Sequence, residues 1–219
     1  MSDVIITVRG EHETRLLPER AVVHLTIVVE GAERGAVVER VAALTEPVRA
    51  DLAERQSAGD VAEWSSQRAA VWSDRPWSPE GQRLAPVHHA SVDFTVVFAD
   101  FAALSFWAGE VAVREGVQLG WIDWRLTPET RARVEREVAT RAVQVAVQRA
   151  EAYALALELS GVTPLSVADS GLLGDGDRPE QRAMFAARAM SADAGGPVLD
   201  FQPEEIRVAS SVDARFAAR

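Results

Sequence analysis

The sequence predicts an α+β protein in which a mainly antiparallel sheet carries long helices packed on one face. Several segments of the 219-residue chain alternate apolar and polar residues, which is typical of half-buried strands. Two long segments instead repeat apolar residues every three or four positions, which is typical of amphipathic helices. The strands come mostly in consecutive pairs, without a regular strand–helix–strand repeat, and this order favours an antiparallel sheet.

Two strands are predicted at the beginning of the chain. Residues 4–13 and residues 20–30 both alternate apolar and polar side chains, so each strand has one face suited to a core. Pro18 lies in the turn between them. Because the connection is short, we expect the two strands to pair as an antiparallel hairpin.

The first helix is predicted over residues 33–56. Pro47 lies inside it and lacks a backbone donor, so we expect a kink or a break at that position. The apolar stripe of this helix consists of Val37, Val41, Leu44, Val48 and Leu52.

Two more strands are predicted in the middle of the chain. Residues 61–72 are interpreted as one strand with Trp64 and Trp72 on the same face, and residues 73–82 as a loop because of their Pro and Gly content. Residues 86–98, PVHHASVDFTVVF, alternate regularly and predict the second of these strands.

A shorter helix and a very long helix are predicted next. Asp100 is the expected N-cap of the shorter helix, which ends at Gly116, and residues 117–126 form a strand. Thr127 is the expected cap of the long helix, which should run to Ser160. Its inward stripe is predicted to be rich in alanine, with Ala139, Ala142, Ala146, Ala150 and Ala156.

The last part of the chain predicts two strands around an irregular segment. Residues 163–170 and residues 204–218 are interpreted as strands. The segment 171–202 is rich in Gly, Asp and Ala, so we expect a flexible loop, with a short helix at 179–190. Residues 1–219 are predicted to form a single domain with this loop as an excursion.

Composition excludes several classes of function. The formal net charge is −10, and the basic residues, all of them Arg, are scattered, so no nucleic-acid partner is predicted. The absence of Lys excludes a Schiff-base lysine and a P-loop lysine, and the absence of Cys excludes thiolate chemistry. No leader is apparent and no apolar run approaches the roughly 20 residues of a membrane helix, so the sequence predicts a cytoplasmic protein without membrane insertion.

The adjacent histidines His88 and His89 do not predict a metal or catalytic site. Neighbouring residues on a strand point to opposite faces, so the two rings are not placed to bind one ion together. His89, Ser91 and Asp93 share a face and have the residue types of a hydrolytic triad. Residues four apart on a strand are however roughly 13 Å apart, whereas a triad needs direct hydrogen bonds. No catalytic, cofactor-binding or metal-binding residue is therefore predicted.

Tryptophan suggests a different kind of site. The chain has six Trp, and most of them are explained by packing in a core. Trp72 and Trp77 flank a polar loop that contains proline, where a core role is least required. Trp is enriched at protein interfaces, so we predict that Trp72 and Trp77 lie at an interface between copies of the chain.

With these elements in place, the chain resembles the SIMPL-domain family of bacterial proteins. ITVRGEHETRLLPERAVVHLTIVVEG resembles the family opening, with Gly10 as the first residue of its Gly-x-Gly, while His12 and Glu19 stand where the family has Gly and Asp. ASVDFTVVFADFAAL places Asp100 where the family has an aspartate before a helix. ARVEREVATRAVQVAVQRAEAYALALELSGV resembles its long Ala-rich helix, and QPEEIRVASSVDARFAA its closing strand.

The resemblance implies a SIMPL-like α+β fold and no catalytic residues. Many relatives are exported, some are associated with defence against oxidative stress, and some are ring-like or channel-like oligomers. We therefore expect a non-enzymatic module that self-assembles or binds a partner, with no cofactor and at most an indirect link to stress. The alternative is a small-molecule-binding protein or a hydrolase that uses the polar sheet face around His24, His89 and Asp93.

Overall fold

The computed structural model describes residues 4–172 and 201–219, which contain eight strands and three helices. All strand pairs in these residues are antiparallel, and the predicted α+β class is confirmed. The strands are β1 (Val4–Leu16), β2 (Arg20–Gly31), β3 (Val61–Ser66), β4 (Ala70–Asp74), β5 (Val87–Phe98), β6 (Val117–Arg125), β7 (Val162–Asp169) and β8 (Ile206–Ala218), and the helices are α1 (Arg34–Ala58), α2 (Phe101–Ala112) and α3 (Pro128–Ala156).

These elements form two compact units. The first unit contains β1, β7 and β8 with α3. The second contains β2 to β6 with α1 and α2. The single domain predicted for residues 1–219 stays a prediction. The predicted loop at 171–202, with its short helix at 179–190, lies almost entirely outside the described residues.

The first unit is a three-stranded sheet in the order β1–β8–β7, with α3 packed on one face. Ile6 and Val8 of β1 are buried against the helix, as their alternation predicts. The buried stripe of α3 is Val134, Val138, Ala142, Ala146, Ala150 and Ala154. The predicted Ala139 and Ala156 are exposed, because a stripe at four-residue spacing passes beside them. The helix also ends at Ala156 rather than Ser160, and Glu158 has a left-handed φ of 59°.

Gly10 is the point of closest approach between β1 and α3. A Cβ atom at this position would lie 2.6 Å from the backbone nitrogen of Ala146 and 2.8 Å from its Cβ, and closer still to the carbonyl oxygen of Ala142. Only a residue without a side chain fits there, and the small residues of the helix complete the contact. The Ala-rich stripe therefore works together with Gly10.

A carboxylate on β8 joins three segments of the first unit. Asp213 accepts a hydrogen bond from the Arg9 guanidinium at 2.8 Å and another from the backbone N–H of Gly171 at 2.9 Å. The hydrogen bond from Arg9, followed by that from Gly171, holds the pKa of the Asp213 carboxyl below its ordinary value. The charged form of Asp213 thus ties β1 and the end of β7 to the central strand β8.

The second unit is a five-stranded sheet in which β5 and β2 are central. The order is β3–β5–β2–β6, and β4 pairs with β5 beyond the end of β3. Helices α1 and α2 both pack on one face, where their apolar stripes meet the inward residues of β2 and β5 in one core. The predicted stripe of α1 lies in this core, with Leu44 only partly buried, and the buried residues of the core include Val23, Leu25, Ile27, Val37, Val41, Val48, Leu52, Val92, Phe94, Val96, Phe98, Leu104, Trp107 and Val111.

The predicted hairpin between the first two strands is wrong. β1 pairs with β8, and β2 pairs with β5 and β6, although only Leu17, Pro18 and Glu19 separate β1 from β2. Each strand buries its apolar face against different helices, β1 against α3 and β2 against α1 and α2. Burial of these faces outweighs the local preference of a short connection for a hairpin.

The predicted strand at 61–72 is also wrong, because it consists of two strands, β3 and β4. Ser66 lies opposite Phe94 and Ala70 lies opposite Ser91, so this segment contains one residue more than the matching part of β5. One extra residue reverses the faces that follow it. Trp64 therefore packs towards the core near Phe94, while Trp72 lies on the other face.

Two smaller predictions are corrected as well. The predicted loop at 73–82 starts later, because β4 continues to Asp74, and Trp77 forms an isolated bridge with Arg83. Helix α1 is continuous from Arg34 to Ala58, so it has no break at Pro47, and a kink there stays a prediction. Residues on both sides of the proline, Val41 and Val48 among them, are buried in the core and hold the helix in place despite the missing donor.

We predict that Gly10→Ala destabilises the first unit by about 1–3 kcal/mol, because the added methyl group meets backbone atoms that have no room to move. Urea unfolding followed by far-UV circular dichroism measures this change. The matched control is Gly35→Ala in α1, where a Cβ meets nothing within 4 Å and helix propensity should stabilise by roughly 0.5–1 kcal/mol. Equal effects of the two substitutions would contradict the close packing at Gly10.

Candidate functional site

The polar face of the five-stranded sheet is the candidate site of the second unit. Neither helix of this unit packs on it, because α1 and α2 share the opposite face. We call it the open face and define it by Thr26 and Glu30 on β2, Asp93 on β5, Trp72 on β4 and Trp121 on β6. Thr26 donates a hydrogen bond of 2.7 Å to Asp93 across the two central strands. Thr26 and Asp93 thus form a polar centre on this face, Val22 and Val97 pair further along the same two strands, and the edge strands β4 and β6 carry aromatic residues.

One edge of the open face holds His89 stacked on Trp72. The ring centroids are 5.2 Å apart and the planes differ by 12°, in agreement with the direct pairing of these residues between β4 and β5. His89 Nε2 lies 3.2 Å from Asp74 Oδ1, and His89 Nδ1 lies 3.8 Å from Glu30 Oε2. The imidazole is thus held between two carboxylates, and the indole beside it is 44 % exposed.

The other edge holds a similar arrangement around His24. Its ring stacks on Trp121 with centroids 4.5 Å apart, and its Nε2 lies 3.4 Å from Asp123 Oδ2 without a hydrogen bond. A bulge in β6 opposite His24 brings the indole over the imidazole. Gly120 makes this possible, since a Cβ there would lie 3.0 Å from the carbonyl oxygen of His24.

The two edges share a sequence pattern that residue-type reasoning missed. Trp72-Ser73-Asp74 and Trp121-Ile122-Asp123 both read Trp-x-Asp on an edge strand, and each stacks its Trp on a histidine of the adjacent central strand. Residues two apart on a strand share a face, so the indole and the carboxylate reach the same neighbour. The repeated Trp-x-Asp could have revealed Trp121, which is 66 % exposed.

His24, His89 and Asp93 share the open face but do not converge on one point. His24 lies opposite Thr95, which is six residues from His89 on β5, so the two imidazoles are roughly 20 Å apart along the strands. Asp93 is four residues from His89, or roughly 13 Å. The Asp93 carboxylate instead accepts the hydrogen bond from the Thr26 hydroxyl. The described residues therefore provide no nucleophile, base and acid in contact on this face.

One pair of residues outside the open face does have catalytic residue types. Ser73 Oγ lies 2.5 Å from His88 Nδ1, a contact that joins β4 to β5. The Arg34 guanidinium reaches the same hydroxyl at 3.5 Å. A serine hydrogen-bonded to histidine is two thirds of a triad, but no carboxylate orients His88 among the described residues.

The two predicted interface residues are both accessible. Trp72 belongs to the open face, and Trp77 lies in the loop between β4 and β5 with 60 % of its surface exposed. The guanidinium carbon of Arg83 lies 4.5 Å from the centre of the Trp77 ring, which is cation–π geometry. Their part in an interface stays a prediction.

Neither a metal cluster nor a membrane-spanning helix occurs within residues 4–172 and 201–219. In those ranges, no group of three or more His, Asp and Glu side chains is arranged to hold a metal ion. Within the same ranges, no helix is long and apolar enough to cross a membrane.

The sequence of residues 6–216 matches the family described as SIMPL, protein of unknown function (DUF541). The match covers nearly the whole chain, and the chain therefore belongs to the SIMPL family. The matched residues span both compact units. A comparison with curated proteins finds no match.

Proposed function

We propose that this SIMPL protein is a non-enzymatic assembly module that binds a second copy of itself through the open face. The observation that carries the proposal is the pair of exposed tryptophans, Trp72 and Trp121, held in fixed orientation by stacking on His89 and His24. Exposed aromatic side chains that are already ordered lose little conformational entropy on binding, and Trp is enriched among residues that dominate interface energy.

The charges at the two edges support a second copy as the occupant. Asp74 and Glu30 flank His89 at the β4 edge, whereas Arg125 and Arg20 lie opposite each other at the β6 edge. At the β6 edge, Asp123 pairs with Arg125 at 3.0 Å and compensates part of its charge. A two-fold axis places the acidic edge of one copy against the more basic edge of the other, and this occurs twice in one interface.

The distribution of polar and aromatic residues on the open face determines how two copies can pair through it. A stable interface buries on the order of 1,200 Å² or more in total, and its centre is usually less polar than its rim. The open face has the reverse arrangement, with aromatic edges and a polar middle. An antiparallel pairing of two copies would bring each tryptophan edge over the edge of its partner and leave the polar middle available to bridging water.

The resemblance to relatives that are exported or associated with stress supports at most an indirect role in the stress response. With no Cys in the chain, we place any stress role in assembly rather than in a redox reaction of this protein. A cytoplasmic location remains the prediction of the sequence.

We predict that Trp72→Ala and Trp121→Ala, which truncate the two tryptophans of the open face, each weaken self-association by at least about tenfold, because loss of an interface tryptophan typically costs about 2 kcal/mol or more of binding energy. Light scattering over a dilution series measures the change. The matched control is Phe106→Ala, which truncates an equally exposed ring, 63 % accessible, on α2 away from the open face. Val96→Asp places a charge in the core and should unfold the second unit.

A protein that is monomeric at every concentration would contradict this proposal. So would assembly that Phe106→Ala weakens as much as Trp72→Ala does.

A charge exchange tests the pairing of the two edges. Asp74→Arg and Arg125→Glu should each weaken assembly by about tenfold, because each places like charges opposite one another. The double variant should recover most of the loss, since the exchanged charges again attract. Arg40→Glu is the control: it removes the Arg40–Glu115 pair at the helical side. If the double variant assembles no better than either single variant, the two edges do not face one another.

A hydrolase is the second candidate, and the Ser73–His88 contact favours it. We expect p-nitrophenyl acetate and p-nitrophenyl phosphate to be hydrolysed no faster by the wild-type protein than by Ser73→Ala, because the dyad lacks an orienting carboxylate. His89→Ala tests the open face in the same assay. If the wild-type protein showed turnover and either substitution abolished it, the protein would be an enzyme rather than an assembly module.

A further inference from the structure

A groove of about 560 Å³ lies in the first unit between the strand β1 and one flank of α3. Its volume falls within the roughly 300–1,000 Å³ that is typical of small-molecule sites. Among the described residues β1 pairs only with β8, so it is an edge strand of its sheet. The polar residues that line the groove include His12 of β1 and Arg133, Arg136, Glu137, Arg141 and Gln144 of α3.

The groove follows from the close approach at Gly10. There the helix lies directly on the strand, with no side chain between the two backbones. His12 and Thr14 share the face of Gly10 but have side chains, so the strand and the helix are held apart from this point onwards. The gap opens beside the N-terminal half of α3, and its floor carries the half-buried imidazole of His12.

The wall of the groove is rich in positive charge, although the chain as a whole is strongly acidic. Three guanidinium groups line it against the single carboxylate of Glu137. Arg133 donates to Glu137 at 3.0 Å, so this pair is nearly neutral. Within the described residues, neither Arg136 nor Arg141 forms an ion pair with a carboxylate.

The hydrogen bonds along the wall leave donors available. Arg141 donates to Gln144 Oε1 at 3.0 Å, and this bond fixes the amide so that its Nε2 remains a free donor. Thr140, also on the wall, donates its hydroxyl hydrogen to the Arg136 carbonyl at 2.9 Å. The guanidinium of Arg136, that of Arg141 and the amide of Gln144 therefore present hydrogen-bond donors to a ligand, and the floor adds the ring of His12.

We propose that this groove binds a small ligand through a phosphate group. Two unpaired guanidinium groups, each with a planar fork of donors, match the oxygens of an anion. A phosphate group carries up to about two negative charges and three strong acceptor oxygens, so one group can engage both Arg136 and Arg141. A single carboxylate has one charge and is saturated by one fork, so the pair of arginines favours phosphate.

Calorimetric titration of the full chain at low ionic strength tests this inference, since exposed arginines are strongly screened by salt. Phenyl phosphate and inorganic phosphate are the probes, and succinate is the carboxylate comparison. We expect both phosphates, or phenyl phosphate alone if the ligand is an ester, to bind more tightly than succinate. Arg136→Gln and Arg141→Gln should each weaken binding by about tenfold or more, because a charge-assisted bond is lost.

Arg131→Gln is the matched control, because Arg131 lies on the same helix, pairs with Glu135 at 3.4 Å and does not line the groove. Gln144→Ala is the second test of the site and should weaken binding less than either arginine substitution, with helicity checked by circular dichroism. Absence of phosphate binding by the wild-type protein would overturn the inference. The inference would also fail if succinate bound as tightly as phenyl phosphate, or if Arg131→Gln reduced the affinity for phosphate as much as Arg136→Gln does.

Discussion

Helices cover only one face of the strands β2 and β5, and the arrangement of the second unit depends on this constraint. Successive side chains of a strand point to opposite faces, so a helical layer on one side determines what lies on the other. Val23, Leu25 and Phe94 fill the side beneath α1 and α2. His24, Thr26 and Asp93, which alternate with them, are therefore brought onto a single surface. The histidines and tryptophans of the open face owe their positions to the core behind them.

In the first unit, the corresponding constraint is the absence of a side chain at Gly10. The helix approaches the strand closely there, and its alanines are small enough to allow this. The same contact sets where the strand and the helix separate, and hence where the arginine-lined groove begins. A single residue without a Cβ thus links the packing of the unit to the position of this groove.

The alternation along the sequence was sufficient to predict the strands other than β3 and β4, the faces of β2 and β5, and most of the stripe of α1, because these follow from the period of burial alone. It was not sufficient to predict which strands pair. The connection at Pro18 suggested a hairpin, but the partner of β1 lies about 200 positions further along the chain in β8, and only burial against α3 selects it. The extra residue between Ser66 and Ala70 reversed the face of Trp72 for a similar reason.

The candidate site was likewise predictable from the sequence only in part. Sequence reasoning predicted Trp72 and Trp77 as interface residues and placed His24, His89 and Asp93 on a polar sheet face, which is where β2 and β5 carry them. It did not predict the stacking of His24 on Trp121, because that contact depends on a bulge in β6 and on the space left by Gly120. The Ser73–His88 contact was missed because it joins two strands whose pairing the sequence did not specify.

Hydroxyl-radical footprinting with mass spectrometry shows whether copies of the chain meet through the open face. The protein is labelled at a dilute and at a concentrated condition, and the oxidation of individual side chains is compared. We expect Trp72 and Trp121 to be protected at the higher concentration, while Phe106 on α2 is oxidised equally at both. Unchanged labelling of Trp72 and Trp121 in a sample that has assembled would contradict the claim, because the copies would then meet elsewhere.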